Sequence, residues 1–96
     1  MKIADLCSDG MQVFGDDQTE ILSVTYDSRQ VCPGALFFCI SGFKTDGHRY
    51  APDAVANGAA ALVVTKRLDI GVTQILVEDD RRAMALISRS FYGKPD

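Results

Sequence analysis

Leu36-Phe37-Phe38-Cys39-Ile40 is an unbroken apolar run, and it restricts the fold more than any other segment. A strand sends successive side chains to opposite faces of its sheet, so a run without polar alternation needs cover on both faces. Ala61-Leu62-Val63-Val64-Thr65 makes the same demand, and Thr73-Gln74-Ile75-Leu76-Val77 reads as a further strand. Glu20 to Tyr26 is another strand candidate, rich in β-branched and aromatic residues.

Helical signals fall between and around these runs. Lys2 to Cys7 has Ile3 and Leu6 on one side, with Gly10 closing the segment. Gly15-Asp16-Asp17-Gln18 is a turn. Pro52 to Asn57 predicts a helix, with Pro in the first turn and Gly58 suited to the left-handed position after the last. From Glu78-Asp79-Asp80 onward, Ala83, Met84, Ile87 and Phe91 recur at helical steps, with Arg81, Arg82 and Arg89 left to solvent, until Pro95 resists continuation. Strands interleaved with helices imply a small sheet covered on both faces. The expected fold class is α/β, a small three-layer domain with a mixed sheet of about four to five strands covered by helices.

The 96 residues make one domain, spanning 1–96, with 47% hydrophobic residues as in ordinary globular chains. A net charge of −3 argues against general affinity for nucleic acid or an anionic membrane. No apolar stretch approaches the ~18 residues of a membrane span, and residues 1–10 lack a signal-peptide pattern, so a cytoplasmic location is expected. Cys7, Cys32 and Cys39 form neither a disulfide framework nor a zinc motif and are expected to be buried thiols.

Two polar loops bracket the Leu36–Ile40 run, Asp27-Ser28-Arg29 before it and Gly42-Phe43-Lys44-Thr45-Asp46-Gly47 after it. Such loops at a strand end are where an α/β domain holds a small ligand. The second has the glycine spacing of a phosphate-binding P-loop. However, His48 and Arg49 stand where that loop needs its Lys and its Ser or Thr, and Asp46 adds a negative charge. A nucleoside-triphosphate site is therefore not expected.

A milder role fits that loop equally with a plain solvated turn. Its glycines expose backbone N–H groups, Lys44 adds a cation and Phe43 an apolar face, tools suited to a diphosphate-linked nucleoside. Asp27 is suited to bracing its own turn, while Ser28 can donate to a ligand oxygen and Arg29 can face a phosphate. His48, the sole histidine, fits a loop residue bonded to nearby backbone better than a general base, since nothing in the spacing assembles it with Ser28 into a hydrolase. Glu78-Asp79-Asp80 is explained by the helix dipole, and no metal site is expected.

Four motifs in order, Tyr26-Asp27-Ser28-Arg29, Val31-x-Pro33-Gly34-x-Leu36-Phe37, Gly42-x-x-x-Asp46-Gly47-His48-x-Tyr50 and Ala54-x-x-x-Gly58-Ala59, resemble the N-terminal domain of the Mur ligases. The likeness runs from about Tyr26 to Pro95. The Asp46-Gly47-His48 form and the Phe91-Tyr92-Gly93-Lys94-Pro95 segment are most similar to the UDP-N-acetylmuramoyl-tripeptide synthetase (MurE-type) branch. A related pattern occurs in the sister branch that adds D-alanyl-D-alanine.

The resemblance implies a parent enzyme of cytoplasmic peptidoglycan synthesis. That enzyme is an ATP-dependent, ADP-forming ligase adding L-lysine or meso-diaminopimelate to UDP-MurNAc-L-Ala-D-Glu through an acyl phosphate. It implies that this domain holds the UDP part of the substrate, with Tyr26 and Ser28 on the first set of contacts and Phe43, Lys44 and Thr45 on the second. The family's ATP loop follows the segment at which this chain stops. The expectation is therefore a monomeric substrate-binding domain with no cofactor or catalytic residue of its own. ATP, Mg²⁺ and their ligands would lie on central and C-terminal domains of the parent. A free-standing interaction module without a nucleotide site is the alternative from another class.

Overall fold

A computed structural model describes residues 1–8, 10–40 and 47–93. Its centre is a mixed sheet of five strands: β1 (Gln12–Phe14), β2 (Ser23–Thr25), β3 (Ala35–Phe38), β4 (Ala61–Val64) and β5 (Thr73–Leu76), in the order β1-β5-β4-β3-β2. β2 to β5 are parallel, and β1 closes the far edge antiparallel to β5. Three helices cover it: α1 (Ile3–Leu6), α2 (Ala51–Ala56) and α3 (Asp80–Tyr92).

The apolar runs divide by pleat, as strand geometry requires. Leu36 and Phe38 of β3, with Ala61 and Val63 of β4, join Ile3, Leu6, Ala83 and Ile87 in a core beneath α1 and α3. Their alternates, Ala35, Phe37, Leu62 and Val64, meet Ala51 and Ala54 of α2 on the other face. Three layers result because β3 and β4 are apolar at every position and leave no face for solvent.

Several element bounds differ from those the sequence predicts. The Glu20–Tyr26 strand shortens to Ser23–Thr25, since the chain before it is held by other bonds: Leu22 N–H donates to the Gly34 carbonyl at 2.9 Å. The Leu36–Ile40 strand shifts to Ala35–Phe38, and the predicted Pro52 helix begins one residue earlier at Ala51. β1 has no counterpart among the predicted strands. A strand of three residues is too short for a period, and it exists through its ladder to β5, with Val13 opposite Ile75.

β4 and β5 are adjacent parallel strands joined without a helix. The connection, residues 65–72, tucks Leu68, Ile70 and Val72 against the α2 side of the core. Gln74, buried in β5, braces it: its Oε1 accepts from Leu68 N–H at 2.7 Å, and its Nε2 donates to the Leu68 carbonyl at 2.8 Å. Asp79 caps α3 by accepting from Arg82 N–H at 3.1 Å, the role its place before the apolar stripe predicts.

The cysteines depart from the expectation of burial. Only Cys39 is fully enclosed, while Cys7 is half-buried and Cys32 exposed. Cys32 belongs to the turn entering β3, where the chain runs at the surface.

Candidate functional site

The parallel strands deliver their C-terminal ends to one edge of the sheet, the edge at which α/β domains hold ligands. β2 ends at Thr25 and runs into Tyr26, Asp27 and a 3₁₀ turn over Ser28–Gln30. β3 leads to a second 3₁₀ turn, Gly47–Tyr50, which passes directly into α2. A groove of about 580 Å³ opens between these turns, lined by Tyr26, Asp27, Ser28, Arg29, Tyr50 and Asp53.

The first turn is internally braced. Asp27 N–H donates to Thr25 Oγ1 at 3.1 Å, and Asp27 Oδ1 accepts from the Arg29 N–H at 2.9 Å. Asn57 Nδ2, at the end of α2, reaches the Ser28 carbonyl at 3.4 Å. Asp27 thus shapes the turn, as its type and position predict.

Arg29 folds back on Asp27, donating Nε to Oδ1 and Nη2 to Oδ2, each at 3.1 Å. Its side-chain and backbone hydrogen bonds hold the Asp27 carboxyl below the usual carboxylate range, and the pairing raises the Arg29 guanidinium in turn. The guanidinium is paired with its neighbour while its side chain stays largely exposed. The two carboxylates of the groove, Asp27 and Asp53, outnumber this one cation, so its chemistry suits an uncharged ring and hydroxyls better than a diphosphate.

Tyr26 and Tyr50 supply aromatic surface at 68% and 41% exposure. Ser28 is half-buried in the wall, and its hydroxyl has no hydrogen-bond partner among the described residues. Tyr26 and Ser28, both predicted as contacts, are therefore brought together on one groove. Phe43, Lys44 and Thr45 lie outside the described residues, as do most of the Gly42–Gly47 loop and Lys94-Pro95.

Tyr50 and Asp53 were not predicted as contacts. Tyr50 sits inside the third motif and Asp53 follows Pro52 in the first turn of α2, a place normally explained by the helix dipole. Only the meeting of the two turns puts them beside Tyr26.

His48 is 7% exposed, and its Nε2 accepts the Thr65 backbone N–H at 3.1 Å. The expected backbone bond is present, although its partner lies 17 residues on, past the end of β4. An Nε2 that accepts from an amide carries no proton and has no lone pair left for a serine hydroxyl. The described residues hold no group of three His, Cys, Asp or Glu side chains able to bind a metal. No described helix is long and apolar enough to cross a membrane.

Comparison with known proteins gives a consistent result. The Mur ligase family, catalytic domain, matches residues 20–92. The UDP-N-acetylmuramoyl-L-alanyl-D-glutamate–2,6-diaminopimelate ligase of Geobacillus kaustophilus is 45% identical over 99% of this chain and 20% of its own length. The ligase of the same name from Listeria monocytogenes is 41% identical, again over 99% and 20%. The chain thus spans about a fifth of the length of these curated relatives.

Among solved structures, MurF from Acinetobacter baumannii superposes with a TM-score of 0.70 at 32% identity, over 76% of this chain and 16% of that one. MurF from Thermotoga maritima, in complex with ADP, gives 0.65 at 27%, over 78% and 17%. With the family matched over most of its length and its three-layer fold shared by these structures, the chain belongs to the Mur ligase family.

Proposed function

We propose that this chain is the N-terminal substrate-binding domain of a ligase that adds meso-diaminopimelate or L-lysine to UDP-MurNAc-L-Ala-D-Glu in cytoplasmic peptidoglycan synthesis. The observation that carries the reading is the groove at the strand ends. It gathers Tyr26 and Ser28 on one wall with Tyr50 beside them, in a chain 41–47% identical to ligases named for 2,6-diaminopimelate.

In this reading the groove takes the uridine. Its aromatic surfaces offer faces to the ring, the Ser28 hydroxyl donates or accepts at the ribose hydroxyls, and Asp53 can accept from a ring N–H or a ribose hydroxyl. The diphosphate is assigned to Phe43, Lys44 and Thr45, which in sequence supply a cation and glycine-flanked amides.

In the parent enzyme ATP would supply the phosphoryl group that activates the substrate carboxyl, leaving ADP, and Mg²⁺ would offset the phosphate charge. The residues of this chain do not suit either: His48 and Arg49 follow Gly47 where a phosphate loop needs the lysine and hydroxyl that grip a triphosphate and its metal. By itself the chain binds and orients substrate and does not ligate. It acts as a monomer, with the other domains of the parent as its partners.

The test is a ¹⁵N NMR titration with UDP-MurNAc-L-Ala-D-Glu. The amides of Ser28 and of Phe43 to Thr45 move, and Ser28→Ala weakens binding about tenfold, the loss of roughly one hydrogen bond. Saturable shifts elsewhere with these amides silent overturn the site. The likeness to MurF structures favours one second reading, a parent that adds D-alanyl-D-alanine. Assaying the parent with each acceptor separates the two.

A further inference from the structure

We propose that His48 is a positioning residue for the groove, holding the wall that carries Tyr50 by its hydrogen bond to the end of β4. The inference rests on reading the groove as a uridine-nucleotide site. It adds a residue that acts on that site from behind, through Tyr50.

The second 3₁₀ turn is fastened at two successive residues. Gly47 N–H donates to the Ile40 carbonyl at 2.8 Å, and a Cβ on Gly47 would stand 2.6 Å from Ile40 N and 2.8 Å from Ile40 O. Only glycine allows the turn to press so closely on the backbone that leaves β3. At the next residue His48 reaches the other way, its Nε2 accepting from Thr65 N–H at 3.1 Å. The turn thereby bridges the ends of β3 and β4.

Tyr50 lies two residues further on, at the junction with α2, where it is the N-terminal capping residue without a side-chain cap bond. It is 41% exposed, so packing alone does not define its place on the groove. Its backbone position comes from the turn, and the turn's comes from Gly47 and His48. Burying an imidazole at 7% exposure is unfavourable unless its polar atoms are paired. An aliphatic side chain would fill the same space without direction, whereas an N–H···N bond sets how the turn is rotated against β4.

The 96-residue chain itself serves for the test. His48→Ala removes the acceptor. His48→Gln restores one, because the glutamine Oε1 falls near the place of Nε2. In the ligand-free chain, His48→Ala is expected to shift the Tyr50 ring and amide signals and speed exchange of the Thr65 amide, with Gln returning both toward wild type.

With UDP as the probe, His48→Ala weakens binding about tenfold and His48→Gln stays within about threefold, on the scale of one hydrogen bond. A merely structural histidine lowers the melting temperature yet leaves Tyr50 signals and UDP affinity unchanged in the folded variant, and that result overturns the proposal. Should His48→Ala not fold, His48→Leu fills the space without accepting and faces the same two outcomes. If wild-type chain does not bind UDP, the functional reading fails, while the Tyr50 and Thr65 signals still decide whether His48 positions the turn.

Discussion

Pro33 lies directly over the bare Cα of Gly58: a Cβ placed on Gly58 would stand 2.7 Å from Pro33 Cα. Gly34 N–H donates to the Gly58 carbonyl at 3.0 Å, so the turn entering β3 and the turn leaving α2 are joined back to back. Gly58 also has φ +106°, a conformation that L side chains rarely adopt. Gly58→Ala meets both penalties and is expected to lose more than about 1 kcal/mol. A thermal melt followed by circular dichroism should fall by roughly 4–8 °C or more, and an unchanged melt would refute the close contact.

Gln74 shows how a polar side chain replaces a helix. Its paired bonds to Leu68 hold the helix-free connection between β4 and β5. Gln74→Leu leaves the Leu68 N–H and carbonyl without these partners, at a cost of about 1–3 kcal/mol. Hydrogen exchange at the Leu68 amide is expected to accelerate more than at the β4 amides; uniform acceleration would point to general loss of packing instead.

Acid should act on the first turn of the groove through Asp27. Its folded-state carboxyl is depressed, chiefly by the Arg29 side-chain bond and then by the Arg29 backbone N–H. A depressed carboxylate contributes stability above its unfolded value of ~3.9, and that contribution is lost as pH falls through the lower folded value. The Arg29 amide signal should therefore stay flat from neutral pH to about 4 and move only below it. Asp27→Asn keeps an oxygen for the Arg29 N–H but abolishes the titration. An Asp27 inflection at or above the free aspartate value contradicts the pairing.

The thiols should react in the order of their surroundings. Cys32 is exposed, Cys39 is enclosed in the α2-side core, and Cys7 is half-buried with its thiol raised by burial first and by the Asp17 charge second. Iodoacetamide at pH 8 followed by peptide mass spectrometry should label Cys32 first, Cys7 slowly and Cys39 only on unfolding. Early labelling of Cys39 would mean that β3 opens in the native chain.

Much of this architecture is legible along the chain because its causes are local. The unbroken apolar character of β3 and β4 requires two covered faces, whatever lies beyond them. Asp27 and Asp79 bond to backbone two and three residues on, so their roles follow from neighbours in sequence. Pro52 and Gly58 punctuate α2 by the dihedral angles they permit or supply. The family motifs likewise carried Tyr26 and Ser28 as a pair before the groove joined them.

What tertiary structure alone decided has in each case a partner far along the chain. β1 is a strand because β5, some sixty residues on, offers it a ladder. Gln74 became a brace because β5 lies beside a connection that has no helix to hold it. Arg29 closed its side chain on Asp27, and Tyr50 and Asp53 joined Tyr26 once two separate turns met at the sheet edge. His48 is the sharpest instance: the sequence by itself determined a histidine suited to a backbone bond. Which backbone was settled by strand order, because placing β4 beside β3 is what brings the Thr65 amide within 3.1 Å of its ring.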